Sequence, residues 1–366
     1  MNGVGIWFWN EQFWLPANYT WEDMKPTQDR QYPDYTDIFI YPIIIAFVLL
    51  SIKNHVLYPY LLTPFGISVG LPNKRHRAPV RNEVLENVFK TYGTHVPNQV
   101  MVDATLRLQW STRKVERWLR RKQASQRMTV LDKFKETANN WIFYLFFSVS
   151  GVYTMFSKPY LWDISRCWEG YPLQVVPGDL WWYYMVGLGF FWSISYNELN
   201  KPQRKDTNTM YLHHLFTILL MSFSWTVNAI RIGSLVLFVH SLSDVVLLLA
   251  RGFKYMKYTT TTDALFAVFL VVWIATRVVL FPFWILHSIL FRIPVFAQFP
   301  AVYFFTVLLF GLLYLDISWT VMIFSIIFKK IYRGELEDAR SSDEFNSNEE
   351  QDAKDGIVTN HEGKID

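Results

Sequence analysis

The chain of 366 residues contains a single cysteine, Cys167, so no disulfide can form within it and thiol content says nothing about its redox compartment. Charge is scarce as well. Asp, Glu, Lys and Arg make up 18% of residues, against roughly a quarter in an ordinary soluble domain. The first residues lack the basic n-region of a cleavable signal peptide and carry Glu11, Pro16 and several tryptophans instead. The first apolar segment is therefore expected to act as its own anchor. What is abundant is apolar: 51% hydrophobic residues, 18% aromatic ones and a mean hydropathy of +0.12. This points to an all-α polytopic membrane protein, because the lipid core offers no partner to an open backbone.

At about 20 apolar residues per crossing, the pattern predicts about seven transmembrane helices. They fall near residues 36–57, 139–157, 180–199, 208–228, 232–250, 263–290 and 301–328. The third ends in polar residues, Ser193, Ser195, Asn197 and Glu198. One set of loops carries Lys74, Arg75, Arg77, Lys201, Arg204, Lys205, Arg251, Lys254, Lys257, Lys329, Lys330 and Arg333, whereas the other has only Lys158, Arg166, Arg231 and Arg292. The positive-inside rule then places the N-terminal segment 1–35 in the lumen and the C-terminus in the cytosol. The sequon Asn18-Tyr19-Thr20 would lie where glycosylation takes place. The aromatic run Trp7, Phe8, Trp9, Phe13 and Trp14 reads equally as an interfacial belt or a buried cap.

Two polar segments flank the membrane domain assigned to 136–330. Residues 74–135 form a cytosolic stretch in which Val115, Trp118 and Leu119 recur at helical spacing, opposite Arg113, Lys114, Arg117, Arg120, Arg121 and Lys122. This reads like the last helix of a homeodomain. It lacks, between Trp110 and Arg127, the asparagine that pairs with adenine in DNA-binding members, so DNA is not an expected partner. Anionic lipid or a CoA phosphate suits its cations better. The tail 334–366 is acidic and nearly free of aromatics, the composition of a disordered segment. Ser341 and Ser342 precede acidic residues there, a possible phosphorylation context.

An ionised side chain in a hydrocarbon crossing costs about 2.5–3.5 kcal/mol on insertion scales, so it is expected to face a site. Five ionisable residues fit that description: His213, His214, His240, Asp244 and Arg277. His213 and His214 lie about two turns into the fourth segment, with Thr217 on the same wall. His240 and Asp244 share a face of the antiparallel fifth segment at matching depth. Histidines beside a carboxylate can move protons near neutral pH, the chemistry of acyl transfer. Structural hydrogen bonding and metal binding are the competing readings. Adjacent histidines point about 100° apart and suit a common ion poorly, so no bound metal is expected. Arg277 would offset Asp244 or a substrate phosphate, and Asp316 would pair with another helix.

The run from Arg204-Lys205-Asp206 to Leu212-His213-His214, then Ala229 to Leu237, then His240 to Asp244, resembles the signature stretch of ceramide synthases, within their TLC domain. Thr276-Arg277, Phe281-Pro282, Cys167-Trp168, Tyr171-Pro172 and the opening Trp7-Phe8-Trp9-Asn10-Glu11 fit the same resemblance, as does the truncated homeobox-like segment. It covers the chain to about Arg333. The resemblance implies a multi-pass enzyme of the endoplasmic reticulum that joins a fatty acyl chain from acyl-CoA to the amine of sphinganine or sphingosine. No cofactor would be held permanently, acyl-CoA would be co-substrate, and homo- or hetero-dimers are implied. His213 would carry the acyl group, His214 would deprotonate the amine, and Asp244 would orient an imidazole. His240, Arg277, Thr217 and Ser241 would support substrate. Acyl-chain preference would belong to the loop bearing Phe291, Arg292, Pro294, Phe296 and Gln298. One departure stands out: the family pattern His-Asp-x-x-Asp reads His240-Ser241-Leu242-Ser243-Asp244 here. Two other functions stay open, a non-catalytic lipid sensor or transporter and a membrane-tethered regulator acting through the cationic helix.

Overall fold

The computed structural model describes residues 8–27, 32–73, 75, 77–199, 207–293 and 299–333, with side chains as far as Phe328. Among the described residues every regular element is a helix. The principal ones are α1 Asp37–Ser68, α2 Glu83–Tyr92, α3 Asn98–Leu108, α4 Thr112–Gln126, α5 Val130–Phe156, α6 Gly178–Leu199, α7 Thr207–Thr226, α8 Ile230–Tyr255, α9 Thr259–Phe291 and α10 Ala301–Arg333. Each of the seven apolar segments lies on α1 or on one of α5 to α10. By length and composition, α1, α8, α9 and α10 (to Phe328) are able to cross a membrane.

Helix α1 continues past residue 57, through Pro59 and Pro64. A proline removes one backbone donor and crowds the preceding turn. Here Lys53–Leu62 adopts the wider π-helical winding, and Ile274–Leu286 in α9 does the same around Pro282. Such windings concentrate at functional sites, and Arg277 lies in the second.

The chain divides into two compact units. One comprises the segments up to Leu50, Leu145–Asp244 and from Val268 onward. Within it Trp14 is buried, stacked on Phe223 of α7 at 4.9 Å and edge-on to Phe304 of α10 at 5.7 Å. Trp14 is thus a buried cap residue, its Nε1 donating to the Phe8 carbonyl at 2.6 Å, while Phe8 and Phe13 stay exposed and Trp7 lies outside the described residues. Buried Asn228 turns the chain from α7 into α8 with φ 59°, a left-handed conformation that asparagine tolerates. Its amide donates to the carbonyls of Pro172 at 2.6 Å and Gln174 at 2.8 Å. Gln174 in turn donates to the carbonyl of Cys167, whose buried thiol is pushed up to about 12 by desolvation.

The other unit comprises Ser51–Tyr144 and Val245–Ala267. Within it α2, α3 and α4 enclose Leu85, Ala104, Val115, Trp118 and Leu119. Trp118 buries its ring and donates Nε1 to the Val80 carbonyl at 2.7 Å. The buried face of α4 is the one its periodicity predicted, and Arg113, Lys114, Arg117, Arg120 and Arg121 stand exposed.

Candidate active site

The centre of the site is Arg277. Its side chain is 3% exposed, and its guanidinium donates in several directions at once. Nη1 reaches Asp316 Oδ1 at 3.0 Å, and Nη2 reaches Asp244 Oδ2 at 3.2 Å and the His240 carbonyl at 3.0 Å. Nε points to Ser243 Oγ at 3.3 Å. Trp273 lies against the cation, 5.0 Å from ring centroid to guanidinium carbon. Position 273 is one turn before 277, so both project from the same side of α9. Planar geometry and a fixed fork of donors suit arginine to bridging two carboxylates.

His240, on α8, turns its ring toward α10. Its Nδ1 is 2.8 Å from the Val236 carbonyl, which can only accept, so that nitrogen carries the hydrogen. The other ring nitrogen, Nε2, lies 3.4 Å from Asp316 Oδ2. Asp316 is therefore shared, with Oδ1 on Arg277 and Oδ2 beside the imidazole. Phe281 closes the ring from the side, edge-on at 4.6 Å between centroids.

His213 and His214 bring the second wall. Their rings are 5.9 Å apart, and His213 stands edge-on to Trp319 at 5.2 Å. Trp319 continues to Trp273 at 6.4 Å, and Trp273 donates Nε1 to Thr320 Oγ1 at 2.9 Å. An aromatic wall thus runs from Arg277 to His213. His213 Nδ1 is buried without a hydrogen-bond partner, and the ring lies within Coulombic reach of His214, Arg277, Asp316 and His240. His214 is buried against Phe191. Thr217 Oγ1 donates to the His213 carbonyl at 2.9 Å, so its hydroxyl is used within α7. Gly311 of α10 faces the Phe216 ring so closely that any side chain there would displace it.

Among the residues expected from sequence, the structure joins His240, Asp244 and Arg277 directly and sets His213 and His214 alongside. Ser241 is turned elsewhere. It accepts from Ser148 Oγ of α5 at 3.0 Å and donates to the Phe238 carbonyl at 2.9 Å. Phe291 and Arg292 are exposed at the end of α9, while Pro294, Phe296, Gln298, Ser341 and Ser342 lie outside the described residues. Sequence reasoning undervalued Asp316 and missed Ser243, Trp273 and Trp319. The available signal was an aspartate inside an apolar helix, followed one turn later by a tryptophan. Among the described residues, no three His, Cys, Asp or Glu side chains are grouped to hold a metal ion.

Residues 133–325 match the TLC domain, more than half of the chain and all of the site. Human ceramide synthase 5 is 32% identical over 351 residues, covering 94% of this chain and 88% of that protein. Human ceramide synthase 3 is 34% identical over 341 residues, covering 92% and 88%. The chain belongs to the ceramide synthase family. A nematode relative, ceramide synthase hyl-1 of Caenorhabditis elegans, is 28% identical over 355 residues, covering 91% of this chain and 83% of that protein. Like the rest of the TLC family, the chain is a multi-pass membrane protein.

Proposed function

We propose that the chain is an acyltransferase that moves a fatty acyl group from acyl-CoA to the amine of sphinganine or sphingosine, with His213 as acyl carrier. The observation that carries this is the His213 ring, its Nδ1 buried and unpartnered, beside His214 and within reach of the Arg277 cluster. A buried imidazole with an unused nitrogen is a nucleophile held ready. In the first step the thioester C–S bond breaks, a C–N bond to His213 forms, and the ring's own proton passes to the CoA sulfur. In the second the amine nitrogen attacks the acyl carbon and the acyl–histidine bond breaks. The substrate ammonium gives up two protons on the way, one restoring the His213 ring and one leaving the site. His214, adjacent in sequence and in space, is the base for the attacking nitrogen. Asp244, expected to orient an imidazole, is bonded to Arg277 and offsets that cation's charge beside the histidines.

The same reading places the chain in the endoplasmic reticulum, N-terminus lumenal, on the support of its divided cations and of exposed Asn18, a glycosylation acceptor. The exposed cations of α4 suit an anionic lipid surface or a CoA phosphate. Acyl preference is assigned to the loop after Phe291, and assembly to homo- or hetero-dimers.

The test is to mix full-length protein with acyl-CoA in the absence of amine and map the acyl adduct by mass spectrometry. An adduct on His213 is expected. Amide formation in a single turnover without any adduct would show direct transfer and remove the acyl-histidine step.

A further inference from the structure

Two buried polar atoms in the site, His240 Nε2 and Asp316 Oδ2, face each other across 3.4 Å without a hydrogen bond. His240 commits its Nδ1 hydrogen to the Val236 carbonyl, so in the tautomer that carries one hydrogen Nε2 is an acceptor. Asp316 Oδ2 lies 3.4 Å away, and neither atom has a hydrogen-bond partner. The side chains are 12% and 2% exposed. A buried acceptor left without a donor is costly, and such atoms in a folded protein call for an explanation. Asp316 cannot be satisfied through Arg277 alone, because the guanidinium is shared with Asp244 and bonds only Oδ1. Two adjacent acceptors, one on a carboxylate, fit a small cation that offers at least two N–H donors. An alkylammonium is such a cation.

We propose that Asp316 Oδ2 and His240 Nε2 receive the ammonium of the long-chain base, one N–H to each, and that His240 takes its first proton, leaving His214 as base for the second when the nitrogen attacks. This rests on the acyl-transfer reading for the identity of the amine. An ammonium N–H bond breaks, the proton forms an N–H bond at Nε2, and the electron pair stays on the amine nitrogen. Asp316 then pairs with the imidazolium, and the neutral amine is free to attack the acyl carbon on nearby His213. Asp316 supplies a second carboxylate in a chain whose position 241 is serine. Ser241 does not share this role, being turned toward Ser148.

The experiment is equilibrium binding to the full chain in lipid nanodiscs, with sphinganine and an analogue bearing a hydroxyl in place of the amine. The wild type should bind sphinganine about tenfold or more tightly than the analogue, the scale of a charge-assisted hydrogen bond. Asp316→Asn should abolish the preference, Asp316→Glu should restore part of it, and His213→Ala should leave it intact. In turnover, Asp316→Asn should raise the KM for sphinganine while sparing that for acyl-CoA. Equal binding of the two ligands by the wild type would overturn the assignment, even if Asp316→Asn failed to fold. A preference that survives in folded Asp316→Asn would overturn it too. Absence of an acyl adduct on His213, with the binding preference intact, would instead count against the acyl-histidine step alone.

Discussion

Two groups of cations in this chain obey opposite rules. On α4, Arg113, Lys114, Arg117, Arg120 and Arg121 are exposed, and Arg120 pairs with Glu116 of its own helix at 3.1 Å. Arg277 on α9 is buried and bonded to two carboxylates, a hydroxyl and a carbonyl from other helices. An exposed pair contributes about 0.2–1 kcal/mol. Breaking a buried pair by removing one partner costs about 3–5 kcal/mol. The difference teaches that a cation's surroundings, more than its type, carry the functional information. The α4 group shapes a surface potential, whereas Arg277 ties α8 and α10 to α9 in a buried cluster.

The comparison breaks most visibly at Arg277. Arg277→Met strands Asp244 and Asp316 in a buried setting and should cost about 3–5 kcal/mol of stability together with acyl transfer. Thermal unfolding in detergent reads it, and a variant as stable as wild type would show that the cluster is not held together by this cation. Replacing Arg117, Arg120 and Arg121 by alanine should do far less to the enzyme. Turnover at saturating substrate should persist, while vesicles of anionic lipid should bind more weakly by about 1 kcal/mol per cation removed. Loss of function in that triple variant, with His213 intact, would favour the regulator reading. The smallest effect concerns Cys167. With its thiol pushed up to about 12, the nucleophilic thiolate is nearly absent at pH 7 to 9. A maleimide should leave it unlabelled across that range and label it once the protein is denatured. Rapid labelling of the native chain would contradict its burial.

Much of this architecture was legible from hydropathy alone. All seven long apolar segments are helices, and the buried face of α4 follows from the spacing of Val115, Trp118 and Leu119. Helix α1 runs beyond the expected residue 57 to Ser68, the π-helical winding around Pro59 letting it continue. Periodicity could not decide whether Trp14 was an interfacial anchor or a cap, since its partners, Phe223 and Phe304, are about 200 and 300 residues away. In the site, His213, His214, His240, Asp244 and Arg277 announced themselves by the cost of placing them in apolar helices. Asp316 did so too, but its partners depend on how α8, α9 and α10 pack, which no local pattern encodes. Ser241 was expected beside the substrate; one residue on from His240, it instead points about 100° away around the helix, toward Ser148.

The most direct test of the account is N-acylation of sphinganine in microsomes across a series of acyl-CoA lengths, wild type beside His213→Ala at matched expression. Amide formation by the wild type over a limited range of lengths is expected, and none by the variant. Equal activity in the two would contradict a histidine-borne acyl transfer.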